Sequence, residues 1–231
     1  VGDDAFLIAL AGLALIAFVA YERGLLPGAN TVTLDDGSAE LDQAGGALDD
    51  ALAMLDPTTY LPAGTDDSTA AANLSAFLMT IRQAEGTAGS QGYQTMFGGR
   101  LFTDMSDHPR SPMQFTNQDG ATLWSSAAGA YQFMAISPLP GGGSTRVDTW
   151  DRMRAKLGLP DFSPASQDAA AVGLIDDAGA LNDVKAGRFE TAIAKVRRIW
   201  ASLPGAGYAQ SERSMDMLRA AYQSAGGSFA A

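Results

Sequence analysis

The chain has 231 residues with 26 acidic and 15 basic side chains, a formal net charge of -11, one histidine and no cysteine. That balance argues against nucleic acid as a partner, because neutralising phosphates needs basic patches. It also excludes a disulfide-dependent fold and argues against a zinc site, since His108 has neither a second His nor a Cys to join it.

Residues Ala5 to Tyr21 form an unbroken apolar run between Asp3-Asp4 and Glu22-Arg23. At helical rise this reaches the short end of what crosses a bilayer core, so residues 1–23 are predicted to be a single transmembrane helix. Without a basic leading region or a small-residue cleavage site, an anchor is the better reading than a cleaved signal; a buried core helix is the competing one. Ala5, Ala9, Gly12, Ala14 and Ala17 permit close helix packing and hence self-association. From Gly24 to Ile81 there is no Lys or Arg, while Asp35, Asp36, Glu40, Asp42, Asp49, Asp50, Asp56, Asp66 and Asp67 are all present. Residues 24–70 therefore read as an acidic flexible linker that is easily translocated, placing residues 71–231 outside the cytoplasm.

Leu74, Phe77, Leu78 and Ile81 recur at helical spacing, and Glu85 continues their stripe before Gly86 ends the helix. Tyr93 to Thr103 mixes β-formers with the turn signal Gly98-Gly99 and is predicted to be a short hairpin. Ser106-Asp107-His108-Pro109-Arg110 reads as a polar loop, and Ala127 to Met134 as a small-residue turn carrying Tyr131 and Gln132. Residues Ser111 to Ser126 read as a loop. Met134 to Val147, with Pro138, Pro140 and Gly141-Gly142-Gly143, reads as a flexible surface insertion; no Lys follows the glycines as a phosphate loop requires. Asp148 can open a helix carrying Trp150, Met153 and Leu157, and Ser163-Pro164 is an N-cap followed by a first-turn proline. Ile193, Val196 and Ile199 make a stripe with Trp200 in the core, and Ser211 or a neighbour begins a last helix with Met215, Leu218 and Tyr222 on one side.

Glu85 is the residue with chemical promise. A carboxyl beside apolar surface and near the partially negative end of a helix has its charged form disfavoured twice over. A carboxyl that keeps its proton near neutrality can act as a general acid. An exposed Glu followed by a Gly cap is the ordinary alternative, and only the segments that follow tip the balance. Asp104, Asp107 and Asp119 are the acids nearest in sequence that could supply a second carboxylate, although Asp104 and Asp107 sit where Asp usually caps backbone amides. His108 reads first as a loop-locking residue packed beside Pro109. Tyr131 and Gln132 suit a sugar, one offering an aromatic face and the other donors and acceptors; a core Tyr with its Gln bonded to backbone is the competing reading. Tyr93 and Tyr208 are weaker candidates of the same kind.

Several blocks together resemble the bacteriophage lambda endolysin family of peptidoglycan lytic transglycosylases. They are Ala84-Glu85-Gly86-Thr87, Leu101-Phe102-Thr103-Asp104, Ser106-Asp107-His108-Pro109-Arg110, Tyr131-Gln132, Ser166-Gln167-Asp168-Ala169 and Ile199-Trp200-Ala201-Ser202-Leu203-Pro204-Gly205-Ala206-Gly207-Tyr208. The resemblance spans roughly Asn73 to Gly227 and implies a two-lobed, mainly helical α+β lysozyme-like fold with a small β element. It implies one essential glutamate, matching Glu85, that cuts between N-acetylmuramic acid and N-acetylglucosamine and leaves a 1,6-anhydro sugar without metal or cofactor. It favours glycan contacts for Tyr131 and Gln132 and is the sole basis for one at His108.

The expected partners are peptidoglycan glycan strands and, through residues 5–21, a lipid bilayer. The expected place is the periplasmic side of the host inner membrane, or the virion, with a role in entry or lysis. Hydrolytic lysozyme is the alternative chemistry. A structural or DNA-ejection virion membrane protein with an idle glycan domain is the alternative function.

Overall fold

The structure, a computed structural model, describes residues 67–116, 120, 122–200, 202–205 and 213–230. The predicted anchor and nearly all of the predicted linker lie outside these residues. Among the described residues no helix is long and apolar enough to cross a membrane.

Helix α1 (Asp67–Glu85) starts within the last residues assigned to the linker and buries the predicted stripe of Leu74, Phe77, Leu78 and Ile81. It ends in a Schellman turn: Gly86, at φ 71°, donates its N–H to the Gln83 carbonyl at 3.3 Å, and Thr87 N–H donates to the Arg82 carbonyl at 2.8 Å. Only a residue without Cβ takes that backbone conformation cheaply, so Gly86 fixes where the helix stops and where Glu85 points.

The β element is not where the sequence suggests. Tyr93 to Thr103 forms two single-turn 3₁₀ helices, Gly92–Gln94 and Phe97–Gly99, joined by one antiparallel bridge from Thr95 to Leu101. Around that bridge Met96 N–H donates to the Arg100 carbonyl at 2.6 Å and Phe102 N–H to the Gln94 carbonyl at 3.0 Å, while Phe97 N–H reaches the Ala127 carbonyl at 2.8 Å and the Thr95 carbonyl accepts from Gly129 N–H at 2.9 Å. The ladder is instead β1 (Met113–Thr116) with β2 (Thr122–Ser125), antiparallel with Met113 opposite Ser125 and Thr116 opposite Thr122. These strands lie in the segment read as loop, and the β-formers Phe115, Thr116, Thr122, Leu123 and Trp124 explain the pairing. Phe97 packs on Phe115 at 5.2 Å, so the Gly98-Gly99 turn abuts this sheet.

Met134 to Val147 is a closed loop. Pro138 bridges Ser144, and Thr145 is buried with its hydroxyl accepting from Ser137 N–H at 2.7 Å and donating to the Ala135 carbonyl at 2.9 Å. Its tip, Pro140 to Ser144, is exposed throughout, as are Ile136, Pro138 and Arg146 on its flanks.

The remaining helices follow the expected signals. They are α2 (Thr149–Leu157), α3 (Pro164–Asp177), α4 (Leu181–Lys185), α5 (Phe189–Val196) and α6 (Met215–Ser224). Ser163 caps α3 with Pro164 in its first turn, and Ser214 rather than Ser211 caps α6. Helix α1 packs on α6 and α4, and α2 on α3. One large core spans the helices, and a smaller one of Phe97, Ala127, Met134 and Val147 lies beneath the sheet.

Phe162 sits at the centre of an aromatic cluster, with Trp150 at 4.6 Å, His108 at 5.0 Å and Phe102 at 5.9 Å. It is fully buried, so Phe162→Ala leaves a cavity that its rigid neighbours cannot fill. We expect a loss of about 3–5 kcal/mol in urea denaturation, with no change in the transition's cooperativity.

Candidate active site

The Schellman turn makes Glu85 the last residue of α1 and aims its side chain inward, where it is 0 % exposed. Its Oε1 accepts a hydrogen bond from the Ser202 hydroxyl at 2.5 Å. Its Oε2 is buried with no hydrogen-bond partner among the described residues. Arg213 lies alongside, donating through Nε to the Ala84 carbonyl at 3.3 Å, while its N–H donates to the Ser202 carbonyl at 3.0 Å. Burial pushes the Glu85 carboxyl up to about 8, against the opposing pull of the Ser202 hydroxyl and the Arg213 cation. The group is thus a protonated acid at neutral pH.

The turn after Glu85 is braced from below. The Arg82 guanidinium donates to the Thr87 carbonyl at 3.3–3.4 Å and lies 4.4 Å from the centre of the Tyr93 ring. The Thr87 hydroxyl reaches the Ala130 carbonyl. Gly92 is required here, because a Cβ at that position would lie 1.8 Å from the Thr87 oxygen.

Tyr93 and Tyr131 are brought together, but around a carboxylate. Both hydroxyls donate to Asp168, from Tyr93 at 2.9 Å and from Tyr131 at 2.6 Å, and both rings are buried, Tyr131 to 2 % exposure. Burial raises Asp168 to about 6, while the two hydroxyls and Arg82 pull it down. Gln132 lies next to this group with φ 48°, a left-handed conformation rare outside glycine. Its amide donates to the Thr95 carbonyl at 3.0 Å and the Gly129 carbonyl at 2.9 Å, which holds the turn in that conformation. A Cβ on Gly129, at φ 81°, would lie 2.2 Å from Gln167 Oε1.

His108 is buried on the edge of Phe162, with Nε2 2.9 Å from the Phe133 carbonyl and Nδ1 accepting from Arg110 N–H at 3.1 Å. Burial depresses it to about 4, with the Phe133 carbonyl opposing. Both ring nitrogens are committed, so the imidazole is neutral and locks the polar loop onto the Ala127–Met134 turn. Tyr208 and Asp119 lie outside the described residues.

The other candidate carboxylates have structural partners. Asp104 caps Ser106 N–H at 2.9 Å. Asp107 accepts from His108 N–H, Trp150 Nε1 and Arg110 at 2.7–3.2 Å and pairs with Arg154 at 2.9 Å. Among the described residues the groups acting on Glu85 are Ser202 and Arg213, and no carboxylate is among these.

Sequence reasoning left Ser202, Arg213, Arg82 and Asp168 without roles. Asp168 had a signal in retrospect: an acid directly before Ala169-Ala170-Ala171-Val172 in a helix with no polar face over that stretch.

A buried acid at a helix end, a helical core and a small two-stranded sheet define a protein with a lysozyme-like fold. The lambda lysozyme complexed with a chitohexasaccharide superposes with a TM-score of 0.58 at 41% identity, covering 68% of this chain and 96% of that one. A second structure of lysozyme from bacteriophage lambda matches with a TM-score of 0.56 over the same shares. The chain belongs to the endolysin family, whose profile matches residues 75–229. It is 41% identical to the endolysin of Escherichia phage P2 over 168 residues, 67% of this chain and 93% of that protein. It is also 41% identical to the endolysin of Escherichia phage lambda over 158 residues, 66% and 90% of the two chains.

An acid raised to about 8 from 4.5 favours folding while protonated, so its support is complete below pH 4.5 and lost as pH rises through 8. Glu85→Gln keeps the shape and removes the titration. The variant should be more stable than wild type by roughly 3 kcal/mol at pH 7, with the difference shrinking towards zero near pH 4 in denaturant titrations.

Proposed function

We propose that this endolysin cleaves peptidoglycan as a lytic transglycosylase, cutting between N-acetylmuramic acid and N-acetylglucosamine and leaving a 1,6-anhydro end. Membership of the endolysin family supports a wall-cleaving enzyme, and the chitohexasaccharide held by lambda lysozyme supports a glycan as the ligand. The observation that carries the finer reading is one protonated carboxyl, Glu85, which among the described residues has an unpartnered Oε2 and no carboxylate acting on it.

Glycosidases that use water or a covalent intermediate need two carboxylates. With one such group among the described residues, the attacking group in this reading comes from the substrate. Glu85 gives its proton to the bridging oxygen as the bond from that oxygen to C1 of the muramic sugar breaks, and the bond's electrons go to the leaving N-acetylglucosamine. The 6-hydroxyl of the same muramic sugar then bonds to C1, and its proton returns to Glu85. No water is consumed, and the acid ends in its starting state. The nucleophile is tethered to the reacting carbon, so the entropic cost of bringing in a second molecule is largely avoided. Because Glu85 is out of contact with solvent, an incoming glycan has to take the place of whatever covers Oε2.

Hydrolysis would need a second carboxylate; of the three candidates, Asp104 and Asp107 are held by backbone and side-chain donors as capping residues are, and Asp119 lies outside the described residues. Tyr131, Tyr93 and His108 act on the glycan indirectly in this reading, by shaping the turn that carries Gln132. The apolar run from Ala5 to Tyr21 would tether the enzyme to the bilayer with its catalytic domain on the periplasmic side, for wall opening at entry or lysis. A purely structural role in ejection leaves a buried, protonated acid without a purpose.

Glu85→Gln should lower clearing of a peptidoglycan gel by about 10²–10⁴-fold. Mass spectrometry of the wild-type products should show muropeptides one water lighter than reducing-end species. Reducing ends would establish hydrolysis, and equal clearing by wild type and variant would remove Glu85 from the reaction. Deleting residues 1–23 should move the protein from the membrane fraction to the soluble one with its clearing activity intact.

A further inference from the structure

We propose that Ser202 is a positioning residue for the reaction: its hydroxyl fixes Oε1 of Glu85, leaving Oε2 as the oxygen that gives up and takes back the proton, with Arg213 supporting the carboxylate between the two steps. The inference rests on the reading of Glu85 as the acid and adds which of its oxygens works and what holds it.

The geometry separates the two oxygens. Oε1 receives the Ser202 hydroxyl at 2.5 Å inside the protein, where Ser202 is itself 3 % exposed. While that hydroxyl donates to Oε1, the acidic proton sits on Oε2, which is buried and bonded to nothing among the described residues. An acid whose proton is already donated to a protein acceptor is a poor donor to a substrate, so the unbonded oxygen is the competent one. A single hydrogen bond to Oε1 also halts rotation of the carboxyl about its last torsion, which is broad for a Glu side chain.

The second half of the reaction needs the opposite property. Once the proton has left, a bare carboxylate stands in a dry site until the 6-hydroxyl returns a proton. Among the described residues two groups meet that charge: the Ser202 hydroxyl and the guanidinium of Arg213. Arg213 is held to the end of α1 by its bond to the Ala84 carbonyl, and its Nη2 is buried without a hydrogen-bond partner among the described residues. Its residue is tied to Ser202 as well, because the Arg213 backbone N–H donates to the Ser202 carbonyl at 3.0 Å. The hydroxyl and the cation therefore come to Glu85 as one unit, from the two ends of the segment 202–213. The cation on Glu85's own helix, Arg82, is turned to the Thr87 carbonyl and the Tyr93 ring.

The test is a pH-rate profile on peptidoglycan together with a carbon-13 titration of the Glu85 carboxyl in the full chain. Ser202→Ala removes a bond that favours the carboxylate, so the Glu85 midpoint and the alkaline limb of activity should both move up by about one pH unit. At neutral pH kcat should fall roughly tenfold with KM little changed, because the lost interaction is strongest in the charged state. Ser202→Thr, which keeps the hydroxyl, should restore both readouts. Ser202→Cys, a similar volume with a weak donor, should behave like alanine. A uniform fall in activity with an unmoved limb and midpoint would make Ser202 merely structural and overturn the proposal. So would an unchanged Ser202→Ala enzyme alongside an inactive Glu85→Gln, an outcome that leaves the proposed function standing. Full activity in Glu85→Gln would instead remove the acid, and this inference with it.

Discussion

A carboxylic acid withdrawn from water, with one oxygen bonded and the other bare, is a local loss of stability that the rest of the structure has to carry. Here the loss is imposed by a short stretch of backbone. The Schellman turn at Gly86 stops α1 with Glu85 facing inward, and Arg82, Thr87 and Gly92 keep the chain from relaxing into any other exit. Ser202 and Arg213 offset part of the cost, and the remainder appears as a proton retained up to about pH 8. The same burial that weakens the fold produces the chemistry, which is the usual relation between strained or desolvated sites and stability.

A second polar group, out of the reaction, keeps that corner in place. Asp168 on α3 collects the hydroxyls of Tyr93 and Tyr131, and the Tyr93 ring lies against the Arg82 guanidinium. Tyr131 follows Ala130, whose carbonyl accepts the Thr87 hydroxyl one residue beyond the helix-ending glycine. A closed circuit therefore runs from the end of α1 through Thr87 to the turn at Ala130, on to α3, and back through Tyr93 to Arg82. His108 adds a strut at Phe133, and the left-handed backbone of Gln132 is sustained between the two. Strained residues persist only where neighbours over-determine them, and here two tyrosines, a histidine and a glutamine amide do so.

How much of this could be read from the residues depends on the range of the interactions. The stripe of α1, its stop at Gly86, the Ser163-Pro164 start of α3 and the buried placing of Trp200 all follow from contacts within one or two helical turns, which local periodicity encodes. The hairpin expected at Gly98-Gly99 shrinks to one bridge and two cross-turn hydrogen bonds for a non-local reason: Thr95 and Phe97 also bond to Gly129 and Ala127, and the longer ladder forms between residues 113 and 125. Tyr93 and Tyr131 carry the same lesson. An aromatic beside an amide suits a sugar on chemical grounds alone, and nothing near either residue in sequence announces that an aspartate in a later helix takes both hydroxyls. Ser202 is 117 positions from Glu85, and a serine in a loop has no pattern of its own. The acid was legible because burial and helix position are local; its partners were not.

The dryness of the site bears on the choice between water and an internal nucleophile. A hydrolase has to admit water to the reacting carbon and hold a second carboxylate to activate it, and a charged group of that kind would push the Glu85 proton still harder onto its oxygen. Among the described residues the carboxyl in this fold feels a hydroxyl and a cation instead, both of which favour its conjugate base. Such surroundings suit a group that must exist briefly as a carboxylate with no water to stabilise it. In the proposed transglycosylase reaction, an internal 6-hydroxyl would supply both the nucleophile and the returning proton from within the volume the glycan already occupies. In the proposed reaction, exclusion of water would protect the sugar cation from capture by solvent, which ties the closed corner around Glu85 to the anhydro product expected of it.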